Sequence, residues 1–454
     1  MRFWKKMERY KASDFVRAVS VLIGGTAVAQ IIMLCVLPLL TRLYTPEDFS
    51  VLSVYLALLS VISVAATLRF ELAIPIPEDD VDAINVLFLA IVSSALSGTL
   101  IALVVYFFSE YLSLLFGRPN LQYYLWVLPV GIFFSGSYSA LQFWTGRKKR
   151  FSDIAKTKVQ QAFGAASVQI LYGFFASTPL GLILGQTINN GAGAVGLAKK
   201  SYFLDKSSLS GVELHKMRRL FKKYDRFPKY SMLEGLANNA AIQVPVILIA
   251  SLAAGPEAGY LLLAMQLMQA PIGLVGGAVS QVYLSKAPEM QRAGQLSNFT
   301  LDTLLGLVKV GIIPLVAAGA MAPFVFPIIF GEQWQRAGVI ILYMVPWIAM
   351  QLLASPISMA LHITNNQPIA MYLQFCGLLL RVGTVAITAL WIPSKLTEVY
   401  AVTGFVFYTV YLIIVMNVTQ VRIWDFLCRV KYIIGVAVAL FLAAIMYVAR
   451  LRFI

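Results

Sequence analysis

The sequence predicts an all-α polytopic membrane protein with two lobes of six helices each and one extra hydrophobic segment at the C-terminus. Composition is the first reason: hydrophobic residues make up 59% of the 454 residues, charged residues 13%, and the mean hydropathy is +0.78. The second reason is a succession of apolar runs, each close to the roughly 20 residues that a helix needs to cross a bilayer. The third is the basic, polar segment 199–229, which divides these runs into two sets. Such a composition argues against a water-soluble globular domain.

Thirteen apolar runs are candidate membrane spans, because a helix satisfies its own backbone hydrogen bonds where lipid offers no partner. Six precede the basic segment, at residues 19–40, 51–68, 84–108, 121–144, 159–175 and 180–197. Six follow it, at residues 230–253, 258–284, 304–330, 339–361, 369–392 and 399–418. The last run covers residues 433–449, and we expect 12–14 spans in all, as a twelve-helix core with an appended segment. Prolines inside the spans, among them Pro245, Pro271 and Pro314, supply places where helices can bend.

The predicted domains and their orientation follow from these runs and from the basic residues between them. Residues 1–198 are the N-terminal lobe, 199–229 a basic cytoplasmic linker, 230–421 the C-terminal lobe and 422–454 the extra segment. Of the 36 basic residues, 27 lie in the N-terminal tail and in four loops that alternate onto the same side. An excess of Lys and Arg marks the cytoplasmic side, so we expect a cytoplasmic N-terminus.

The few cysteines and histidines indicate no metal or disulfide chemistry. Cys35, Cys376 and Cys428 are far apart in the sequence, and His215 and His362 are the only histidines. This pattern fits neither a zinc site nor a disulfide framework, and we expect no bound cofactor. A nucleic-acid partner is also not expected, because no aromatic residues are interleaved with the basic segment in a recognisable module.

A series of short motifs gives the chain a family resemblance. Residues 38–49 read PLLTRLYTPEDF, 69–74 read RFELAI, 223–231 read KYDRFPKYS, and QVP, AGY and QVY follow at 243–245, 258–260 and 281–283. Their order and spacing resemble those of bacterial polysaccharide-unit flippases, the Wzx-type branch of the superfamily that also contains multidrug and toxic compound extruders. The resemblance extends over the twelve-span core, although Ser50 stands where that family usually has Gly.

The resemblance implies a V-shaped bundle in which two lobes alternate access to a shared substrate. It implies translocation of an undecaprenyl-diphosphate-linked oligosaccharide from the cytoplasmic to the periplasmic leaflet of the bacterial inner membrane, for O-antigen, capsule or related polysaccharide synthesis. Its expected partners are the lipid-linked oligosaccharide, membrane lipids, the polysaccharide polymerase and the chain-length regulator, and the expected state is a monomer. Since flipping breaks no bond, we expect no enzyme activity and no catalytic residue.

Charged residues inside the spans are the leading candidates for substrate binding, because they are costly in lipid and usually face a cavity or a partner. Arg381 lies mid-way along span 369–392, and Lys309 lies near the start of span 304–330. A cation there offsets the desolvation of a diphosphate. The alternatives are a structural ion pair for Arg381 and snorkelling to the interface for Lys309.

Arg42, Arg69 and Glu71 lie at span ends, within the motifs that carry the resemblance. We assign substrate binding to the two arginines and ion coupling to Glu71. The alternative is an interfacial anchor or an inter-helix pair, because charge is inexpensive at a span end. A spacing of two residues does not place Arg69 and Glu71 on one helical face.

Polar stripes along three spans complete the candidate site. Glu234, with Asn238 one turn later and Asn239 and Gln243 beside it, is a candidate for binding a coupling proton or sodium ion, with Asn238 contacting substrate. Gln266 and Gln269 belong to a face of small and polar residues whose amides could meet sugar hydroxyls, and residues 181–193 carry a similar face. The alternatives are a buried hydrogen-bond network for the first stripe and close helix packing for the other two.

Two other functions remain open. A drug-efflux transporter on the same fold would have an acidic and aromatic cavity rather than a cationic one. A membrane-embedded glycan polymerase or ligase would need an external catalytic surface, and the predicted external loops are short. Residues 215–223 of the basic segment form either an amphipathic helix on the anionic inner leaflet or a loop whose charge sets the topology.

Overall fold

The chain is helical almost throughout. The computed structural model describes residues 2–451 apart from Ser177, Ala254 and Asn365. Residue 1 of the predicted N-terminal lobe and residues 452–454 of the predicted extra segment lie outside the described residues. Helix accounts for 89% of the chain, and the described residues contain no strand. The all-α prediction is confirmed.

The N-terminal half of the chain contains nine of the described α-helices. They are α1 (Arg2–Leu43), α2 (Pro46–Ala66), α3 (Asp80–Leu115), α4 (Val127–Arg147), α5 (Phe151–Phe175), α6 (Pro179–Gly191), α7 (Gly193–Leu204), α8 (Lys206–Leu209) and α9 (Leu214–Lys223). A 3₁₀ helix, Phe70–Ala73, joins α2 to α3.

The C-terminal half contains the remaining ten. They are α10 (Met232–Leu252), α11 (Glu257–Pro271), α12 (Gly277–Arg292), α13 (Leu296–Leu307), α14 (Ile313–Phe330), α15 (Gln335–Ile357), α16 (Ala360–Ile363), α17 (Gln367–Trp391), α18 (Leu396–Val418) and α19 (Ile423–Leu451). Three π-helical turns join neighbouring helices in this half, at Phe227–Ser231, Ile272–Gly276 and Val308–Ile312.

Each π-helical turn lies beside a proline. Pro228 is inside the first, Pro271 directly precedes the second, and Pro314 follows the third by two residues. Proline has no backbone N–H and its ring crowds the carbonyl four residues before it, so regular α-helical bonding is interrupted nearby. The predicted bending points at Pro271 and Pro314 therefore coincide with real departures from α-helix.

Nine helical segments within the described residues are long and apolar enough to cross a membrane. All nine coincide with predicted spans, including 433–449, which lies in α19. The other four predicted spans fall in α4, α5, α6 with α7, and α11 with α12. The sixth predicted span, 180–197, is not one continuous helix, because α6 ends at Gly191 and α7 begins at Gly193.

Two compact units divide the chain. Unit 1 contains residues Met1–Tyr44 and Val54–Gln243, and unit 2 contains Thr45–Ser53 and Val244–Ile454. The first turns of α2 thus belong to unit 2, whereas the first half of α10 belongs to unit 1.

The apolar core of unit 1 joins α3, α4, α7 and the basic helix α9. Phe70, Ile84, Trp144 and Leu220 are fully buried in it, and Met217 packs against them. The structure shows that α9 is a helix and that Met217 and Leu220 of it face this core, whereas Leu214 is exposed. The basic side of α9 remains exposed.

Small residues allow the helices of unit 1 to approach closely. Gly181 lies against Tyr44 and Tyr172, and Gly185 lies against Gln169. The Tyr44 hydroxyl donates a hydrogen bond to the carbonyl of Gln169 at 2.7 Å. Close packing, the alternative stated for residues 181–193, is confirmed at these glycines.

Unit 2 is tied together at the start of three of its helices by one arginine. Arg336 of α15 donates to Glu257 of α11 at 2.8 Å and to Glu398 of α18 at 3.0 Å. The extra C-terminal segment is also part of this unit, because Ala444 and Val448 of α19 pack on Val339 and Leu342 of α15.

Gly259→Ala is expected to destabilise unit 2. A Cβ atom at residue 259 would lie 2.1 Å from the backbone oxygen of Pro46, which a side-chain rotation cannot relieve. Overpacking of this kind costs about 1–3 kcal/mol, so thermal unfolding of the purified protein should occur at a lower temperature. Gly435→Ala is the control, since a Cβ there meets no atom within 4 Å. Equal stability of the two variants would contradict the packing described.

Candidate functional site

Arg381 lies in the interior of unit 2. It is on α17 with only 4% of its surface exposed. Its guanidinium carbon lies 4.3 Å from the centre of the Phe407 ring and 5.5 Å from that of Tyr408, both on α18. Among the described residues, no carboxylate lies within 4.0 Å of it, and its Nε and Nη2 atoms have no hydrogen-bond partner. The alternative of a structural ion pair is therefore not what the structure shows.

Lys309, in contrast, is exposed. It lies in the π-helical turn Val308–Ile312, within the candidate span Leu296–Phe330. The described residues contain no carboxylate within ion-pair distance of its ammonium group. A π-helical turn within a long helix often marks a functional site, and here it carries the only basic residue of that span.

Lys158 is a partly buried cation that lies directly before the predicted span 159–175. Helix α5 begins at Phe151, so Lys158 lies two turns inside it, and its Nζ donates to the Thr26 hydroxyl of α1 at 3.1 Å. That hydroxyl is neutral, and no carboxylate in the described part of unit 1 pairs with the lysine. A predicted span that began at Phe151 rather than at residue 159 would have included this lysine.

Arg69 and Glu71 form a pair with each other. Their side chains are 3.4 Å apart, Thr67 also donates to Glu71, and Glu71 is buried. Leu68 and Arg69 both have positive φ angles, of 52° and 63°, and this turn brings together two side chains that a helix would separate. The guanidinium packs beside Gly235 of α10.

The polar stripe of α10 divides into two parts. Asn239 exchanges hydrogen bonds with Ser60 of α2, and Gln243 donates to the same hydroxyl at 3.4 Å. These two amides thus form the inter-helix network stated as the alternative. Glu234 and Asn238 are exposed and one turn apart on the same face.

The remaining candidates are more peripheral. Arg42 is exposed in the last turn of α1. Gln266 and Gln269 are half-buried on α11. Of the predicted site residues, unit 1 contains Arg42, Arg69, Glu71, Glu234 and Asn238, and unit 2 contains Gln266, Gln269, Lys309 and Arg381.

Residues of the basic segment are held onto unit 1 by specific polar contacts. Asn85 of α3 donates to the carbonyl of Gly211 and accepts from the backbone N–H of Glu213. Arg219 pairs with Asp82 at 2.8 Å. Lys216 donates to Glu213 and holds the pKa of that carboxyl below its usual range. Arg150 and Trp144 both donate to the buried Asp205.

Comparison with known proteins gives a family and a fold. The family described as polysaccharide biosynthesis protein matches residues 39–338, which is more than half of the chain. The lipid II flippase MurJ, in an inward closed conformation, is similar in structure with a TM-score of 0.69 and 14% identity over 97% of this chain and 100% of that one. No curated protein matches the chain by sequence.

Two further solved structures share the fold. A MATE protein in complex with MaL6 has a TM-score of 0.58 and 13% identity, with 90% of this chain and 96% of that chain covered. A MOP superfamily transporter from Pyrococcus furiosus Vc1 has a TM-score of 0.57 and 14% identity, with 89% and 96% covered. Identities this low establish the fold alone, and the predicted all-α polytopic fold is confirmed.

Glu71→Gln is expected to destabilise unit 1. The change leaves the largely covered Arg69 guanidinium without its carboxylate, at a cost of about 1–3 kcal/mol. The free energy of unfolding of the purified protein measures this loss. Exposed Glu47→Gln is the control and should unfold like the unaltered protein. A Glu71→Gln protein of unaltered stability would show that the pair is not structural.

Proposed function

Because the chain belongs to the polysaccharide biosynthesis protein family, we propose that it is a flippase for a lipid-linked oligosaccharide. It carries an undecaprenyl-diphosphate-linked repeat unit from the cytoplasmic to the periplasmic leaflet of the bacterial inner membrane, for O-antigen, capsule or a related polysaccharide. Its structural similarity to the lipid II flippase MurJ supports this choice.

The observation that carries the proposal is a set of cations without carboxylate partners in helices of the membrane bundle. Lys309 and Lys158 have no carboxylate within 4.0 Å in the described part of the chain. Some carboxylates near helix ends are instead paired with arginines, as Glu71 is with Arg69 and Glu257 is with Arg336. Unpaired positive charge in a low-dielectric layer suits a substrate that carries a diphosphate.

Among these cations, we propose Lys309 for the contact with the substrate. It is exposed, whereas Arg381 is covered on all but 4% of its surface and cannot meet a sugar-bearing headgroup without movement of its helices. Exposed Asn238 and half-buried Gln266 and Gln269 offer amides to sugar hydroxyls. Arg42 contributes at the end of α1, and Arg69 acts mainly through its pair with Glu71.

The protein works without making or breaking a bond, and we propose no enzyme activity. Its energy source is a proton or sodium gradient. Glu234 is the better candidate for the coupling residue, because it is exposed and unpaired in the described part of the chain, whereas Glu71 is buried with Arg69. The proposed partners are the polymerase and the chain-length regulator of the same pathway, and the proposed state is a monomer with a cytoplasmic N-terminus.

Lys309→Gln is expected to reduce flipping by about tenfold or more, because it removes one charge-assisted contact to the diphosphate. The measurement is the transfer rate of a fluorescent polyprenyl-diphosphate oligosaccharide across proteoliposomes that contain the purified variant. Lys309→Arg should retain most of the rate, and Lys286→Gln, at another exposed lysine, should leave it unchanged.

Two results would overturn the proposed function. One is a complete absence of transfer by the unaltered protein in these proteoliposomes. The other is export of hydrophobic drugs by the same preparation, which would favour the drug-efflux alternative that the MATE-like fold also permits.

Glu234→Gln is expected to abolish the response of flipping to an imposed gradient. An amide cannot take up a proton or balance a sodium ion, so the transfer rate should be the same with and without the gradient. The unaltered protein and Glu289→Gln, a change at another exposed carboxylate, on α12, should both respond. A gradient response that survives in Glu234→Gln would remove the residue from the coupling mechanism.

A further inference from the structure

Two helices of unit 2 that both pack on α18 carry buried polar atoms without a hydrogen-bond partner in the described part of the chain. Helices α15 and α18 pack together, and α17 packs on α18. The unsatisfied atoms are Nε and Nη2 of Arg381 on α17, and Nε1 of Trp347 and Oε1 of Gln351 on α15. Native proteins leave few buried polar atoms without a partner, so a local group of four requires an explanation.

The aromatic rings of α18 connect these atoms. The Trp347 ring lies 5.1 Å from the Tyr400 ring, and Arg381 interacts electrostatically with both Tyr400 and Tyr408. Its guanidinium also lies over Phe407 at 4.3 Å. Gln351 follows Trp347 by four residues, so both point from one face of α15.

Two glycines fix this arrangement. A Cβ atom at Gly404 would lie 2.4 Å from the Trp347 ring, and one at Gly377 would lie 2.4 Å from the Phe407 ring. The rings occupy the space that side chains at these positions would need. Packing therefore fixes the Trp347 indole, and the Arg381 guanidinium is fixed by packing together with a hydrogen bond that it donates to Tyr408.

The charge of this cluster is positive and uncompensated within the protein. A guanidinium remains protonated at all physiological pH values, and no carboxylate in the described part of unit 2 lies within 4.0 Å of Arg381. Aromatic faces offset only part of the cost of burying a cation. A water molecule would satisfy hydrogen bonds but would leave the charge unbalanced.

We propose that Arg381 and Trp347 hold a small inorganic anion inside unit 2. The guanidinium supplies the charge and N–H donors, and the Trp347 indole supplies a further N–H. The Gln351 amide, whose oxygen and nitrogen are interchangeable by a flip, presents its NH₂ group to the same anion. This site is distinct from the substrate contact proposed at Lys309.

The burial of the site identifies the source of the anion. Arg381 is 4% exposed and Trp347 is 3% exposed. A halide or inorganic phosphate can enter through small helix movements, whereas a diphosphate attached to sugars and a polyprenyl chain cannot fit among packed helices. The anion therefore belongs to the resting protein and is bound without the transported lipid.

Binding of radiolabelled chloride to the purified full-length protein tests the proposal. The protein is kept in detergent and gluconate buffer without lipid-linked oligosaccharide, and unlabelled chloride or inorganic phosphate is added as competitor. We expect saturable binding by the unaltered protein. Arg381→Gln should weaken it about tenfold or more, and Trp347→Phe roughly tenfold, because each removes a donor to a charged ligand.

Arg429→Gln, at an exposed arginine of α19, is the matched control and should bind like the unaltered protein. Competition by phosphate identifies a site that also accepts larger anions and supports the proposal. An affinity unchanged in Arg381→Gln, or no saturable binding of either anion to the unaltered protein, overturns it. If Arg381→Gln does not fold, Trp347→Phe decides, and unchanged affinity there is the contrary result. None of these outcomes depends on whether the protein flips lipids.

Discussion

A hydrocarbon layer offers no hydrogen-bond partner and no counterion, and this constraint governs every level of the structure. It forces the backbone into helices, which close their own hydrogen bonds. It favours carboxylates that are paired with cations, such as Glu257 and Glu398, which both accept hydrogen bonds from Arg336. The same constraint gives meaning to exceptions: a cation such as Arg381, buried without a carboxylate, is costly unless another molecule balances it.

The helices were predictable because apolar runs of sufficient length have few other structures available to them in lipid. Thirteen runs led to helices in thirteen places, and the interruption at Ala192 was missed because Gly191 and Gly193 sit in a sequence that remains apolar. The packing of the basic segment 199–229 was less predictable. The sequence does not show whether the apolar residues Met217 and Leu220 face lipid or the protein interior. In the structure they face the core beside Phe70.

The candidate site was predictable in its residue types but less so in its geometry. Arg381 was recognisable as an intramembrane charge, yet its aromatic neighbours on α18 come from a tertiary contact that one sequence does not reveal. The Arg69–Glu71 pair depends on two successive positive φ angles at non-glycine residues, which the sequence does not signal. Lys158 was overlooked because hydropathy locates the apolar part of a span and not the start of its helix.

The way in which the chain passes between its two compact units limits how the protein can be divided. The basic segment 199–229 is an obvious place to cut, and it would yield two fragments of similar length. Residues Thr45–Ser53 pack against Gly259 and belong to unit 2. They would then be on the N-terminal fragment, whereas the rest of unit 2 would be on the C-terminal fragment. The beginning of α10 would be separated from its unit in the same way. Neither fragment would hold a complete unit, so co-expressed halves of this kind would have to assemble before either unit was complete.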